Sequence, residues 1–231
     1  MAADRWRRPA RFCALLLGLA IGGPSSAAGD VPLVEQGAAR AAIVKSADAS
    51  EVVNFAASEL QRYLRKISGA ELAIRPRAPE AGSAIVLETA RLAPPRNGLE
   101  CDRFAIKTGS ERVLLTGNTD RAVLYAVYTL LETLGAAWLE PGEQGEILPR
   151  NPTLRVPRID RVFTPAFDLR GMRIYDEGGG EQTVDWMAKT RMNFVLAPKD
   201  GLPPKGFEQR GMLLMKGTHH DFALRMGLDP D

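Results

Sequence analysis

Few residues in this chain are of types that do chemistry, and most of those fall late. The two histidines are adjacent, His219 and His220. Neighbours on a strand point to opposite sides, so both imidazoles cannot share one face. Tyr175 with Asp176 and Lys199 sit at or just past two earlier apolar runs. Lys199-Asp200-Gly201 also has the composition of a turn, and Tyr175-Asp176 that of a solvated loop. Asp176, Glu177 and Glu181 place three carboxyl groups near one loop. Gly178-Gly179-Gly180 lacks the spacing of a phosphate-cradling loop.

These residues need elements to position them. The pattern predicts a strand over 167–175, then the glycine loop. A helix follows from Glu181, carrying Val184, Trp186, Met187 and Met192 and ending near Arg191. Strands over 193–197 and 209–215 come next. Arg170-Gly171-Met172 and Arg210-Gly211-Met212 recur 40 residues apart, a spacing that suits successive βα units. The connection over 200–209 is too short for a full helix with its loops.

Upstream, residues 33–157 read as one small α/β layer. A strand over 41–44 leads to a helix from about Ser50, capped by Asp48 or Ser50. Its stripe is Val53, Ala56, Leu60, Tyr63, Leu64 and Ile67, and Gly69 ends it. Strands over 71–74 and 84–87 follow. A hairpin then joins 104–106 to 112–115 around Thr108-Gly109-Ser110. Asn118, Thr119 or Asp120 caps a second helix with the stripe Val123, Ala126, Val127, Leu130, Leu131 and Leu134, closed by Gly135. The order predicts a mixed sheet with two helices on one face. Asp102, Arg103 and the turn over 140–143 read as surface charges. Tyr125 and Tyr128 read as bridging core and solvent, and residues 158–165 as a polar linker.

The first 28 residues read differently. Arg5, Arg7, Arg8 and Arg11 precede an apolar run over 12–21, a Gly22-Gly23-Pro24 break and the small residues 25–28. That is the layout of a secretory signal peptide, with an apolar run too short to span a bilayer. The segment holds four of the 30 Lys and Arg and one of the 28 Asp and Glu, so its removal turns a formal charge of +2 into −1. No basic stripe remains for nucleic acid. Only Cys101 remains of two cysteines, which excludes an intrachain disulfide and, with two adjacent histidines, disfavours a structural zinc site. With 45% hydrophobic and 25% charged residues, the chain has globular composition, not that of a disordered or fibrous protein. Its 231 residues are generous for one domain and short of the roughly 250 of a (β/α)8 barrel.

Several runs resemble a known family. FAASELQRYLRKISGA (55–70), LTGNTDRAVLYAVY (115–128) and LGAAWLEPGE (134–143) resemble the N-terminal domain of bacterial α-glucuronidases, glycoside hydrolase family 67. The same domain type precedes the barrel of β-hexosaminidases as their domain 2. WMAKTRMNFV (186–195) and RGMLLMKGTHH (210–220) are similar to the opening of the barrel in these hydrolases. The resemblance implies an α/β fold: a signal peptide (1–28), a small mixed-sheet α/β domain (29–160) of the β-hexosaminidase domain 2 type, and the incomplete start of a (β/α)8 barrel (161–231). Active sites lie at the C-terminal ends of barrel strands. The resemblance therefore makes Tyr175, Asp176, Lys199, His219 and His220 the candidates for a sugar-facing rim.

Glycoside hydrolysis needs two carboxyl groups, or one with a substrate acetamido group. In the related families these come from the fourth barrel strand onward, so no catalytic residue is assigned; Asp176, Glu177 and Glu181 do not match. The expectation is the non-catalytic N-terminal portion of an exported, α-glucuronidase-type protein acting on glycans such as xylan. It is secreted or periplasmic, free of membrane after signal cleavage, with a carbohydrate partner and no cofactor or metal. The alternatives are a glycan-binding or scaffold module, and a truncated fragment without independent function. Residues 29–160 are expected to fold alone and 161–231 to be protease-sensitive.

Overall fold

The computed structural model describes residues 30–92, 102–174, 180–198 and 203–217. Strands β1 (Val31–Glu35), β2 (Ala38–Ala39) and β3 (Ala41–Val44) precede helix α1 (Glu51–Ser68). Strands β4 (Ile74–Arg75), β5 (Ser83–Thr89), β6 (Phe104–Thr108) and β7 (Arg112–Gly117) lead to helix α2 (Asp120–Thr133). The short strands β8 (Ala137–Trp138), β9 (Glu146–Ile147), β10 (Leu154–Val156) and β11 (Asp160–Phe163) follow. A second unit then runs β12 (Gly171–Arg173), α3 (Gly180–Lys189), β13 (Phe194–Ala197) and β14 (Leu213–Lys216).

The lead unit is built on a six-stranded sheet in the order β11-β6-β7-β5-β3-β4. Strands β4, β3, β5 and β7 run parallel; β6 runs antiparallel to β7, and β11 antiparallel to β6, so β6 alone is reversed in the sheet. This is the mixed sheet that the sequence predicts, with one strand more. Residues 158–165 are not a free linker: β11 pairs along β6, and Phe163 stacks on Phe104 with ring centroids 4.7 Å apart. The expected strand over 71–74 shrinks to Ile74–Arg75. The expected strand over 209–215 is instead a 3-10 turn at 208–210 followed by β14.

Both lead helices follow their local signals. Ser50 accepts a hydrogen bond from the Val53 amide at 3.3 Å, and Gly69 ends α1 in the left-handed conformation. Thr119 accepts from the Ala122 amide at 3.1 Å. Helix α2 departs from a one-sided stripe, since Leu124, Tyr125 and Tyr128 are buried together with the predicted Val123, Ala126, Val127, Leu130 and Leu131, while Leu134 is only partly buried. It lies between the sheet, α1 and the second unit. Tyr125 and Tyr128 therefore do not reach solvent, and their hydroxyls are satisfied internally.

In the second unit β12, β13 and β14 form a parallel sheet in sequence order. Val184, Met187 and Ala188 of α3 belong to the same buried apolar cluster as Ile174, Val195 and Met212. These residues join the lead unit's apolar core without a break. Arg191 follows α3 with a φ of 64° and closes it in the left-handed manner, the Met192 amide returning to the Met187 carbonyl at 2.8 Å. Among the described residues, no helix is long and apolar enough to cross a membrane.

Candidate functional site

Tyr175, Asp176, Lys199, His219 and His220 lie outside the described residues, as do the signal-like segment and Cys101. The strand ends that precede them are described. Register pairs Arg173 with Leu196 and Leu196 with Met215, so β12, β13 and β14 run out level at their carboxyl ends.

The opposite ends of the same strands carry a dense polar cluster. Asp102 precedes β6 and is 1% exposed, correcting its reading as a surface charge. Its Oδ1 accepts from Arg121 Nε at 3.0 Å and Nη2 at 2.8 Å. Its Oδ2 accepts from Arg170 Nη2 and Asn193 Nδ2, each at 2.8 Å. Arg170 is the residue before β12, and Asn193 the residue before β13. Arg121, in the first turn of α2, also donates through Nη1 to the carbonyl of Gly211, two residues before β14. One buried carboxylate and one buried guanidinium of the lead unit thus reach the start of all three parallel strands.

Cross-links within the second unit complete this cluster. Asn193 Oδ1 accepts from the Arg170 amide at 2.8 Å, and Asn193 Nδ2 donates to the Asp168 carbonyl at 2.6 Å. Arg170 Nε donates to the Arg191 carbonyl at 2.9 Å. A buried charge is tolerable only when its hydrogen-bonding capacity is met, and Asp102 meets it from three elements. Tyr125 lies under the cluster, 5.9 Å from the Arg170 guanidinium, and donates to the Met192 carbonyl at 2.7 Å. Burial, reinforced by the Asp102 charge, pushes its phenol well above the ordinary range.

A second seam docks α3. Glu146 on β9 accepts from Tyr63, from Lys66 at 2.9 Å and from Lys189 of α3 at 3.0 Å. Lys189 also meets Asp185, which accepts from Arg210 at 2.7 Å. Burial acts to raise the Glu146 carboxyl, but the donors Tyr63, Lys66 and Lys189 outweigh it and hold the group at about 2. Asp185 is likewise lowered: burial opposes ionisation, and Lys189 and Arg210 overcome it. A third link is bidentate, Arg191 to Glu132 of α2 at 2.9 Å on both nitrogens.

Between the units lies a cleft of about 340 Å³ lined by Phe104, Tyr125, Phe163, Pro165, Arg170 and Arg191 among others. Phe104 and Tyr125 are buried, Phe163 stacks on Phe104, and Arg161 lies over the Phe163 ring. Both lining guanidiniums already hold carboxylates. The described residues hold no group of three or more His, Cys, Asp or Glu side chains that could bind a metal ion.

The rim candidates expected from the sequence lie outside the described residues, and the seam was not expected from the sequence at all. The available signal was the pair of Arg-Gly-Met tripeptides, which do mark strand starts. The two arginines nevertheless go to different carboxylates, Arg170 to Asp102 and Arg210 to Asp185. Gly211, not Arg210, supplies the link to Arg121.

Residues 33–130 match the family described as "Glycosyl hydrolase family 67 N-terminus". No curated protein matches the chain. Among solved structures, the chain is similar to a family GH115 4-O-methyl-α-glucuronidase with specificity for decorated arabinogalactans (TM-score 0.59, 14% identity, 82% of this chain and 30% of that one). It is also similar to a GH138 enzyme targeting pectin rhamnogalacturonan II (0.53, 17%, 83% and 33%). A third is the GH20 β-N-acetylhexosaminidase of Streptomyces coelicolor A3(2) (0.54, 14%, 82% and 44%). At these identities the likeness is one of fold. The lead unit has the mixed α/β fold of glycoside hydrolase N-terminal domains, and the chain spans less than half the length of these solved structures.

Proposed function

We propose that the chain is the N-terminal, non-catalytic portion of an exported protein of glycoside hydrolase type acting on glycans. The finer reading is an α-glucuronidase type engaged in side-chain removal from xylan or a related polysaccharide, secreted or periplasmic after loss of residues 1–28. The match over residues 33–130 carries this reading. Two features support it: parallel strands that end level, and their starts gripped by the lead unit. In this reading Tyr175, Asp176, Lys199, His219 and His220 follow the carboxyl ends of β12, β13 and β14 and contribute contacts to a carbohydrate, while the reacting carboxylates are not assigned to this chain.

The test is turnover of aryl glucuronides and aryl N-acetylhexosaminides by the purified chain. No release is expected. Release that disappears on His219→Ala or His220→Ala would overturn the non-catalytic assignment. The alternative, a glycan-binding or scaffold module, gains little from the cleft between the units, whose two guanidiniums are paired and whose rings are buried or stacked.

A further inference from the structure

We propose that Asp102 and Arg121 form a positioning pair that sets the relative height of β12, β13 and β14, so that the lead unit aligns the carboxyl edge of the parallel sheet. The geometry has three parts. Asp102 holds the residue before β12 through Arg170 and the residue before β13 through Asn193. Arg121 holds the segment before β14 through the Gly211 carbonyl. Arg121 and Asp102 are themselves locked by two hydrogen bonds. Each strand is therefore referred to the same fixed point, rather than to its neighbour alone.

Ladder hydrogen bonds alone do not set this height. The parallel ladder runs for three pairs between β12 and β13 and four between β13 and β14, and register is weakly specified in strands that bury neither face; no residue within β12 or β14 is buried. Met172 and Leu213 are half exposed, so apolar patterning constrains the two outer strands weakly. The seam supplies directional contacts at the strand starts, centred on a fully buried carboxylate. Glycine is required at Gly171, where a Cβ would run into the Phe194 carbonyl and ring. At Gly211, with a φ of 64°, a Cβ would lie 3.1 Å from that of Arg121. Close approach at these two glycines brings the strand starts within reach of the pair.

The proposal stands apart from the glycan reading, because it concerns alignment and not the ligand. Hydrogen exchange of the full chain tests it, with peptides covering 170–174, 193–198 and 211–217 compared with 83–89 and 112–117. Asp102→Asn keeps the shape and removes the charge. It should raise exchange in all three strand peptides at least about tenfold, and in the two lead-sheet peptides less than about twofold. The other variants should resolve the strands: Arg170→Ala loosens 170–174 most, and Arg121→Lys, which keeps charge but shortens the reach to Gly211, loosens 211–217 most. Asp102→Glu should restore part of the protection. If Asp102→Asn does not fold, the strand-by-strand pattern of the other two variants carries the test. Exchange that rises equally in both sheets, or variants that share one indistinguishable pattern, would overturn the proposal.

Discussion

Arg170 places its Nη2 2.8 Å from Oδ2 of Asp102, across the junction of two α/β units, with the carboxylate fully buried and the guanidinium largely so. The carboxylate belongs to the loop before β6 and the guanidinium to the residue before β12, 68 positions later. Removing one member of a buried pair costs about 3–5 kcal/mol, because the other charge stays buried. Asp102→Ala should destabilise the chain by about that much in urea unfolding. Arg65→Ala, which breaks an ion pair whose side chains are 66% and 58% exposed, should cost less than about 1 kcal/mol. Equal effects would show that burial is not what gives Asp102 its weight.

Acid should weaken the second seam. Glu146 is held at about 2, against 4.5 for an ordinary glutamate. A carboxyl depressed in the folded state contributes stability above its unfolded value, and that contribution fades as pH falls from about 4.5 toward 2. The lowered Asp185 contributes with the same sign. The urea midpoint of the native chain should fall over that window, and Glu146→Gln should flatten part of the fall. A variant with the full native slope would place the titration elsewhere.

Two glycines should lose unequal amounts of stability on substitution by alanine. At Gly117 a Cβ would meet the backbone nitrogen of Val123 and lie 2.7 Å from the Ala122 carbon and the Thr119 oxygen. Backbone cannot give way as a side chain can, and overpacking of this kind costs at least about 1–3 kcal/mol. Gly69, at a φ of 79° with open space around it, should cost only about 1 kcal/mol from conformation. Thermal unfolding of both variants checks the order.

Limited proteolysis addresses how the two units divide. Cleavage is expected first within 166–231, where the parallel sheet has two outer strands without a further partner among the described residues. A fragment covering 29–165 should fold on its own, and one ending at 158 should be less stable because it loses β11 and the Phe104–Phe163 stack. Equal resistance of the two fragments to unfolding would count against a structural role for β11.

What could be read in the sequence follows from the range of the forces involved. Helix α1 was legible end to end, because Ser50, the apolar stripe and Gly69 all act within a few residues of one another. The Thr119 cap of α2 and the β6–β7 hairpin were legible for the same reason. Strands β8 and β9, two residues each, are too short to show a period and exist through pairing with each other. Asp102 sits in a polar stretch and reads as a surface charge; Arg121, Arg170 and Asn193, all distant along the chain, together make its burial tolerable. Tyr125 and Tyr128 are misread likewise, since the elements that cover them come from the second unit and from α1. The RGM spacing found the strand starts but not their partners, which depend on where α2 lies.

The central claim is that the two units are coupled through Asp102, and a double-mutant cycle measures that coupling. Asp102→Asn, Arg170→Gln and the double variant are compared by urea unfolding of the full chain. Residues in direct contact within one network show interaction energies of about 0.5–3 kcal/mol. The geometry predicts a value in the upper half of that range, above about 1.75 kcal/mol. Additive effects, within about 0.5 kcal/mol, would contradict it.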